Sequence, residues 1–310
     1  VFGSAFVTAR LAKLYGKPAY EAFYRNGFHL LRRHFYGPVP DADEIPPGYW
    51  DQQSDLIGID MNEPGALALL DDVFPLYAAE FRSEFPTDRP AGWQQGQFYL
   101  FNDLFMAGDA HVYYAMIRHL KPRRVIEIGS GNSTLVAIKA GLANANEGGF
   151  APELTAIEPN PWPLFKASTP GLTRLVERRL QDVDLALFDE LGAGDILFID
   201  STHVLRAGND VELEYLEILP RLKSGVFVHI HDISLPERYP KTYFDHLVFW
   251  NEQQLLQAFL AFNKDFEVVW PANFVMINHE EKVLAAFPEI REMRSRFPGS
   301  EPSSFWLRRK

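Results

Sequence analysis

Two short strand-like endings hold most of the reactive side chains in this sequence. "LFIDSTH" closes on Asp200 and His203, and "GVFVHIHD" closes on His229, His231 and Asp232. Carboxylates and imidazoles on neighbouring strand ends support two kinds of chemistry. In one, a divalent cation held by Asp200, His231 and Asp232 lowers the pKa of a substrate hydroxyl. In the other, His203 or His231 acts as general base, with Asp232 or Asp200 orienting the ring, because a neutral imidazole near pH 7 suits removal of a hydroxyl or ammonium proton. The bland alternative is that these side chains only cap helices and satisfy loop backbone. Period-two alternation puts His229 and His231 on one side of their strand, with Ile230 and Asp232 on the other. His229, set back from the strand end, reads as a core histidine. Asp210, opening "DVELEYLEILPRL", reads as a helix N-cap or first-turn acid.

The surrounding pattern must position these groups. From Arg124 onward, short apolar runs alternate with helix-length segments: "RVIEIG" then "NSTLVAIKAGLANA", "LTAIEP" then "WPLFKAST", "RLVERRL" then "DLALFDEL", "DILFID" then "DVELEYLEILPRL", "GVFVHIHD" then "NEQQLLQAFLAFN", and finally "FEVVW". This alternation predicts an α/β domain over residues 121–310, built from right-handed strand–helix–strand units on a mostly parallel sheet, with "SSFWLRRK" as an antiparallel edge strand. Residues 1–120 read as a mainly helical region. "SAFVTARLAKLYG", "AYEAFYRNGFHLLRRHFYG" and "PGALALLDDVFPLYAAEFRSEF" space apolar residues three and four apart, with Pro-rich joints between them. In parallel sheets ligands bind beyond the carboxyl ends of the strands, which directs attention to "EIGSG", "IEP", "IDSTH" and "HIHD".

The first of these, in "RVIEIGSGNSTLVAIKAG", has Gly129 and Gly131 but Thr134 where a dinucleotide fingerprint needs its third glycine. Glu127 ends the strand before the turn, and Glu158 ends the next one. A carboxylate beside a pyrophosphate makes little sense. Beside a ligand with a sulfonium, an ammonium and no phosphate it does, and that ligand is S-adenosylmethionine. Glu158 then accepts from the ribose hydroxyls, and Asp182 in "RLQDVDL" faces the adenine.

With these motifs the sequence resembles the class I S-adenosylmethionine-dependent methyltransferases over about Arg123 to Trp270, with a final strand at Phe305-Trp306. "VIEIGSGNST" resembles their glycine-rich motif, "AIEP" their acidic motif and "QDV" the adenine-side segment, while the Asp200 and His231-Asp232 strand ends resemble the small-molecule O-methyltransferase branch. The resemblance implies a Rossmann-like seven-stranded sheet, with the donor across Glu127, Gly129, Ser130, Gly131, Ser133, Glu158, Asp182 and Asp200. It further implies methyl transfer to a small-molecule acceptor, expected at a hydroxyl group. His203, His231 and Asp232 are the catalytic candidates, and Asp200, His231 and Asp232 the metal candidates. Catechol-type members carry an Asp-Asn pair where this chain has His231-Asp232. That departure counts against the usual magnesium, because imidazole favours softer metals, and the expected divalent ion is magnesium, manganese, iron or zinc. Tyr239, Tyr243 and Trp250 are expected to wall the acceptor side, and Asn102 and Asp103 to close the cofactor pocket. Competing readings are a nicotinamide-dependent oxidoreductase, a catalytically silent binding module of the same fold, and a metal-dependent hydrolase or oxygenase using the His/Asp cluster alone.

Composition narrows the field further. At 310 residues with 47% apolar content, the chain is long enough for a substantial core. The absence of cysteine removes disulfides, thiolate metal sites and a Cys nucleophile. A net charge of −11 argues against broad binding to a phosphate backbone. No run of about eighteen apolar residues and no leader pattern is seen, so a soluble, cytoplasmic protein acting on a small molecule is expected, with no nucleic-acid or membrane partner. A start without Met leaves segments ahead of Val1 open. The helical first third is expected to build an acceptor pocket or a homodimer contact.

Overall fold

Seven strands form one sheet in the order β3-β2-β1-β4-β5-β7-β6. They are β1 (Arg124–Ile128), β2 (Glu153–Ile157), β3 (Arg174–Val176), β4 (Ile196–Ile199), β5 (Phe227–Ile230), β6 (Phe266–Pro271) and β7 (Phe305–Arg309). The computed structural model describes residues 7–10, 12, 16–29, 31 and 33–310. β1 to β5 are mutually parallel, and β7 runs antiparallel to both β5 and β6. This is the Rossmann-like seven-stranded sheet expected from the sequence. The antiparallel strand lies one place in from the edge, and β6 is outermost.

Register puts the chemistry in a row. Ile128 pairs with Ile157 and with Ile199, and Ile199 pairs with Ile230. The next residue on each strand, Gly129, Glu158, Asp200 and His231, therefore emerges at one level. The ladder continues one step past the strands, with N–H donors of Gly129, Asp200 and His231 on the carbonyls of Ile157, Ile128 and Ile199 at 2.9 Å each. Alternation sorts the two faces. Val125, Ile196, Phe198 and Trp306 enter one core with the helix Asp109–Leu120, whereas Ile126, Ile128, Leu197, Ile199, Val228, Ile230, Phe305 and Leu307 enter the other.

Two compact units are distinguished, residues 1–49 and 50–310. The change in sequence texture at 120/121 marks where strands begin, but the second unit starts earlier, because the helices at 63–84 and 109–120 belong to the core of the sheet unit. The helix expected across "AYEAFYRNGFHLLRRHFYG" spans only Lys17–Arg25 and stops at a turn where Gly27 has φ 82°. The expected first helix falls partly outside the described residues. Two long helical segments, 63–84 and 210–221, each contain a π turn, Leu69–Val73 and Glu214–Ile218, just before Pro75 and Pro220. Widening the turn relieves the missing N–H and ring clash that proline brings to a helix interior. Three helices between β6 and β7, Ala272–Asn278, Glu280–Ala286 and Glu289–Arg296, were not expected from the sequence.

Candidate active site

Gly129 begins the turn after β1 with φ 99°, and a Cβ there would lie 2.4 Å from the Asp200 carbonyl oxygen. A side chain is excluded twice, by backbone conformation and by contact. The same contact sets the glycine turn directly against the end of β4. Gly131 has room for a Cβ, with Trp162 the nearest atoms at 3.8 Å, and its N–H donates to Thr134 Oγ1 at 3.0 Å at the start of the helix Asn132–Asn146.

Glu127 is fully buried on the β1 face that meets helix Asp109–Leu120, and Tyr113 Oη donates to its Oε1 at 2.8 Å. Among the described residues its Oε2 has no hydrogen-bond partner. Burial pushes the carboxyl up to about 7 although the Thr134, Tyr113 and Ser133 hydroxyls pull it down. An unanswered acceptor at this position fits a ligand bearing a positive charge or N–H donors. Ser133 is buried, and the buried Ser130 Oγ also lacks a partner among the described residues. Glu158, after β2, accepts from the Asn160 N–H at 2.8 Å. Asp182 stands on an exposed turn with its carboxylate bound by Arg179 at 2.8 and 3.1 Å. Asn102 knots its own loop, accepting from the Phe105 N–H at 2.8 Å and from Asn132 Nδ2 at 3.0 Å.

At the ends of β4 and β5 the structure brings together Asp200, His203, His231 and Asp232. One ligand atom each from Asp200, His231 and Asp232 lies within 4.8 Å of the others, a spacing and donor set that fit a divalent cation. His231 Nδ1 is 3.5 Å from Asp232 Oδ2 and 3.9 Å from Asp200 Oδ1, while its Nε2 faces Asp109 Oδ2 at 3.6 Å. His203 Nε2 is 3.3 Å from Asp200 Oδ1 and 3.4 Å from Asp232 Oδ2, and its Nδ1 is 2.8 Å from Glu252 Oε2. Each imidazole thus has a carboxylate behind it and two in front. Burial pushes both imidazoles down, but the surrounding carboxylates outweigh it and hold them well above the ordinary range. Asp109, Asp200, Asp232 and Glu252 surround the two imidazoles, so acidic side chains outnumber them in the cluster. His203 and Asp232 both have φ 58°, a left-handed backbone that non-glycine residues seldom adopt. Such strain persists only where neighbouring contacts over-determine it.

His229 is a core residue. It is fully buried among Phe198, Trp306 and Tyr113, at ring separations of 4.3, 4.9 and 5.7 Å, with burial and the nearby His231 pushing its pKa well down. Asp210 is a first-turn acid that accepts from Thr202 Oγ1 at 2.6 Å, and Asn209 supplies the cap.

Beside His231 and Asp232 opens a cavity of about 390 Å³, lined among others by Asp103, Asp109, Glu237, Arg238, Tyr239 and Tyr243. Trp250 packs 4.9 Å from Tyr243 and 4.3 Å from His203. Sequence reasoning missed Asp109, Ser303 and Glu252. Asp109 accepts the N–H groups of Ser303 and Ser304 at 2.9 to 3.1 Å, and Ser303 Oγ donates to Asp232 Oδ1 at 3.3 Å. Both acids begin helices, so each looks in the sequence like a solvated first-turn charge.

A family profile described as "Methyltransferase domain" matches residues 126–233. An uncharacterized protein of Archaeoglobus fulgidus is 30% identical over 165 residues, 51% of this chain and 72% of that protein. Among solved structures, an S-adenosylhomocysteine-bound methyltransferase of Podospora anserina is similar at 15% identity over 77% of this chain and 88% of its own, with a TM-score of 0.40. A TDP-rhamnose 3'-O-methyltransferase of calicheamicin biosynthesis is similar at 14% identity over 64% of this chain and 78% of its own, with a TM-score of 0.34. No helix among the described residues is long and apolar enough to cross a membrane.

Proposed function

Because this chain belongs to the class I S-adenosylmethionine-dependent methyltransferase family, we propose that it methylates a hydroxyl group of a small polar acceptor held in the cavity beside β5. The observation that carries this reading is the convergence of Asp200, His231 and Asp232, of which His231 and Asp232 line that cavity and Asp200 lies against the glycine turn.

In this reading the donor lies over the ends of β1 and β2, with Glu127 Oε2 answering its ammonium group and Glu158 its ribose. Asp200, His231 and Asp232 would hold a divalent cation, which would supply Lewis-acid polarisation of the acceptor hydroxyl. His203, neutral and with its Nδ1 proton on Glu252, would take the hydroxyl proton on Nε2. The oxygen lone pair then forms a bond to the methyl carbon as the carbon–sulfur bond breaks, and that electron pair stays on sulfur to give S-adenosylhomocysteine. Alignment and proton removal dominate such a displacement, so positioned groups carry much of the rate. The cavity lining includes Asp103, Asp109, Asp232, Glu237 and Glu301 against Arg238, which favours neutral or cationic acceptors over anionic ones. The test is product identification after incubation with labelled donor and hydroxylated acceptors. An O-methyl ether and an equal amount of S-adenosylhomocysteine are expected, and label found only on nitrogen or carbon would refute hydroxyl transfer.

Glu127→Gln separates the donor role from folding. An unfolded Glu loses its proton near 4.5, but the folded one keeps it to about 7. Between those values the folded state binds more protons, so stability declines as pH rises, by on the order of 3 kcal/mol across the window. The ligand-free variant should therefore become more stable than wild type as pH rises from 5 to 8. Its affinity for S-adenosylmethionine should fall about 10- to 100-fold with loss of a charged hydrogen bond. Thermal melts and calorimetry read the two effects. Unchanged donor affinity would remove Glu127 from the binding site.

A further inference from the structure

We propose that Glu252 is the positioning residue for His203, fixing the ring so that Nε2 faces the reacting hydroxyl; the catalytic part of this inference rests on the function proposed above. His203 and Glu252 are 49 positions apart, yet three consecutive residues grip the His203 segment. Trp250 packs against the imidazole with ring centroids 4.3 Å apart. The N–H groups of Asn251 and Glu252 both donate to the His203 carbonyl, at 3.0 and 3.1 Å, and Asn251 Oδ1 accepts from the Leu205 N–H at 2.6 Å. Glu252 Oε2 then lies 2.8 Å from His203 Nδ1, and Tyr215 Oη donates to Oε1 at 3.1 Å.

Glu252 has no solvent exposure, so both of its oxygens are committed. A carboxylate can only accept, so the Nδ1 it faces must carry the proton. Nε2 is then directed at Asp200 and Asp232, on the side where the reaction takes place. The grip also accounts for the left-handed backbone of His203, since two N–H donors to one carbonyl hold the strained turn in place. This is the acid–imidazole logic by which a buried carboxylate selects a tautomer and a ring orientation without meeting the substrate.

Glu252→Gln tests the idea. Tyr215 donates to Oε1, so the amide carbonyl should settle there and turn the amide nitrogen toward His203. Nδ1 then becomes an acceptor and Nε2 carries the proton, facing the wrong way for a base. The expected result is a kcat about 10²-fold lower, with KM for donor and acceptor within twofold of wild type, and a switch from protonated to bare Nδ1 in the ¹⁵N spectrum of histidine-labelled protein. His203→Asn assigns the signal. A variant with unchanged kcat, or with lowered kcat but Nδ1 still protonated, overturns the proposal. If the variant does not fold, the wild-type spectrum decides alone, because a bare His203 Nδ1 there is incompatible with the arrangement. Failure to detect hydroxyl methylation by wild type would count against the proposed reaction, while the spectrum would still report on the Glu252–His203 pair.

Discussion

Asp232→Asn is expected to lower kcat about 10³-fold, the equivalent of roughly 4 kcal/mol of lost transition-state stabilisation, while S-adenosylhomocysteine binds within twofold of wild type. Asparagine is the informative substitute because residue 232 has φ 58°, and Asn is among the few side chains that tolerate this backbone. Its amide oxygen can still accept from Ser303 Oγ, so the turn after β5 should persist. What disappears is one negative charge, at a point 3.5 Å from His231 Nδ1 and 3.4 Å from His203 Nε2. The proposed cation loses an anionic ligand, and manganese affinity measured by calorimetry should fall at least tenfold in parallel. A variant that retains kcat within threefold would show that the charge of Asp232 takes no part in the reaction.

The second large effect is expected from His203→Asn, which should reduce kcat by about 10² to 10⁴-fold, the range associated with removal of a general base. Position 203 also has φ 58°, so asparagine again preserves the backbone. Unlike Asp232→Asn, this change leaves a buried acid behind, since Glu252 loses the imidazole at 2.8 Å and keeps Tyr215 as its one side-chain partner among the described residues. Stability should fall by about 3 kcal/mol, as when a buried charged group loses a hydrogen-bonded partner. Adding Glu252→Gln should restore much of that stability without restoring turnover. Chemical denaturation and steady-state kinetics on the single and double variants distinguish these effects. Full activity in His203→Asn would exclude His203 as the base.

The parts of this architecture written locally were legible in the sequence. Strands β1, β4 and β5 each end on an isoleucine followed by Gly129, Asp200 or His231, and the helices between them are long enough to mark the parallel crossovers. The position of His229, back from the strand end, also marked it as a core residue, where three aromatic rings now surround it. Contacts made by distant residues were not legible. Asp109 lies 122 positions before His231, and nothing in "GDAHVYY" distinguishes it from an ordinary first-turn acid. Glu252 in "WNEQQLL" looks the same, and only packing of its helix against the His203 turn buries it. Asp182 illustrates the opposite difficulty. The sequence offers it as an adenine-side acid, whereas the structure engages its carboxylate with Arg179, three residues away on the same turn. Inserting β7 between β5 and β6 likewise depends on long-range pairing, which the pattern of "SSFWLRRK" does not specify.

The proposed centre joins Asp200, His231 and Asp232 through a divalent cation, and removing that cation is the most direct test. Protein treated with a chelator and shown to be metal-free by elemental analysis should transfer methyl groups at least about 100-fold more slowly, and addition of manganese or magnesium should restore the rate. Undiminished transfer by the metal-free protein would contradict the account and leave deprotonation to the imidazoles alone.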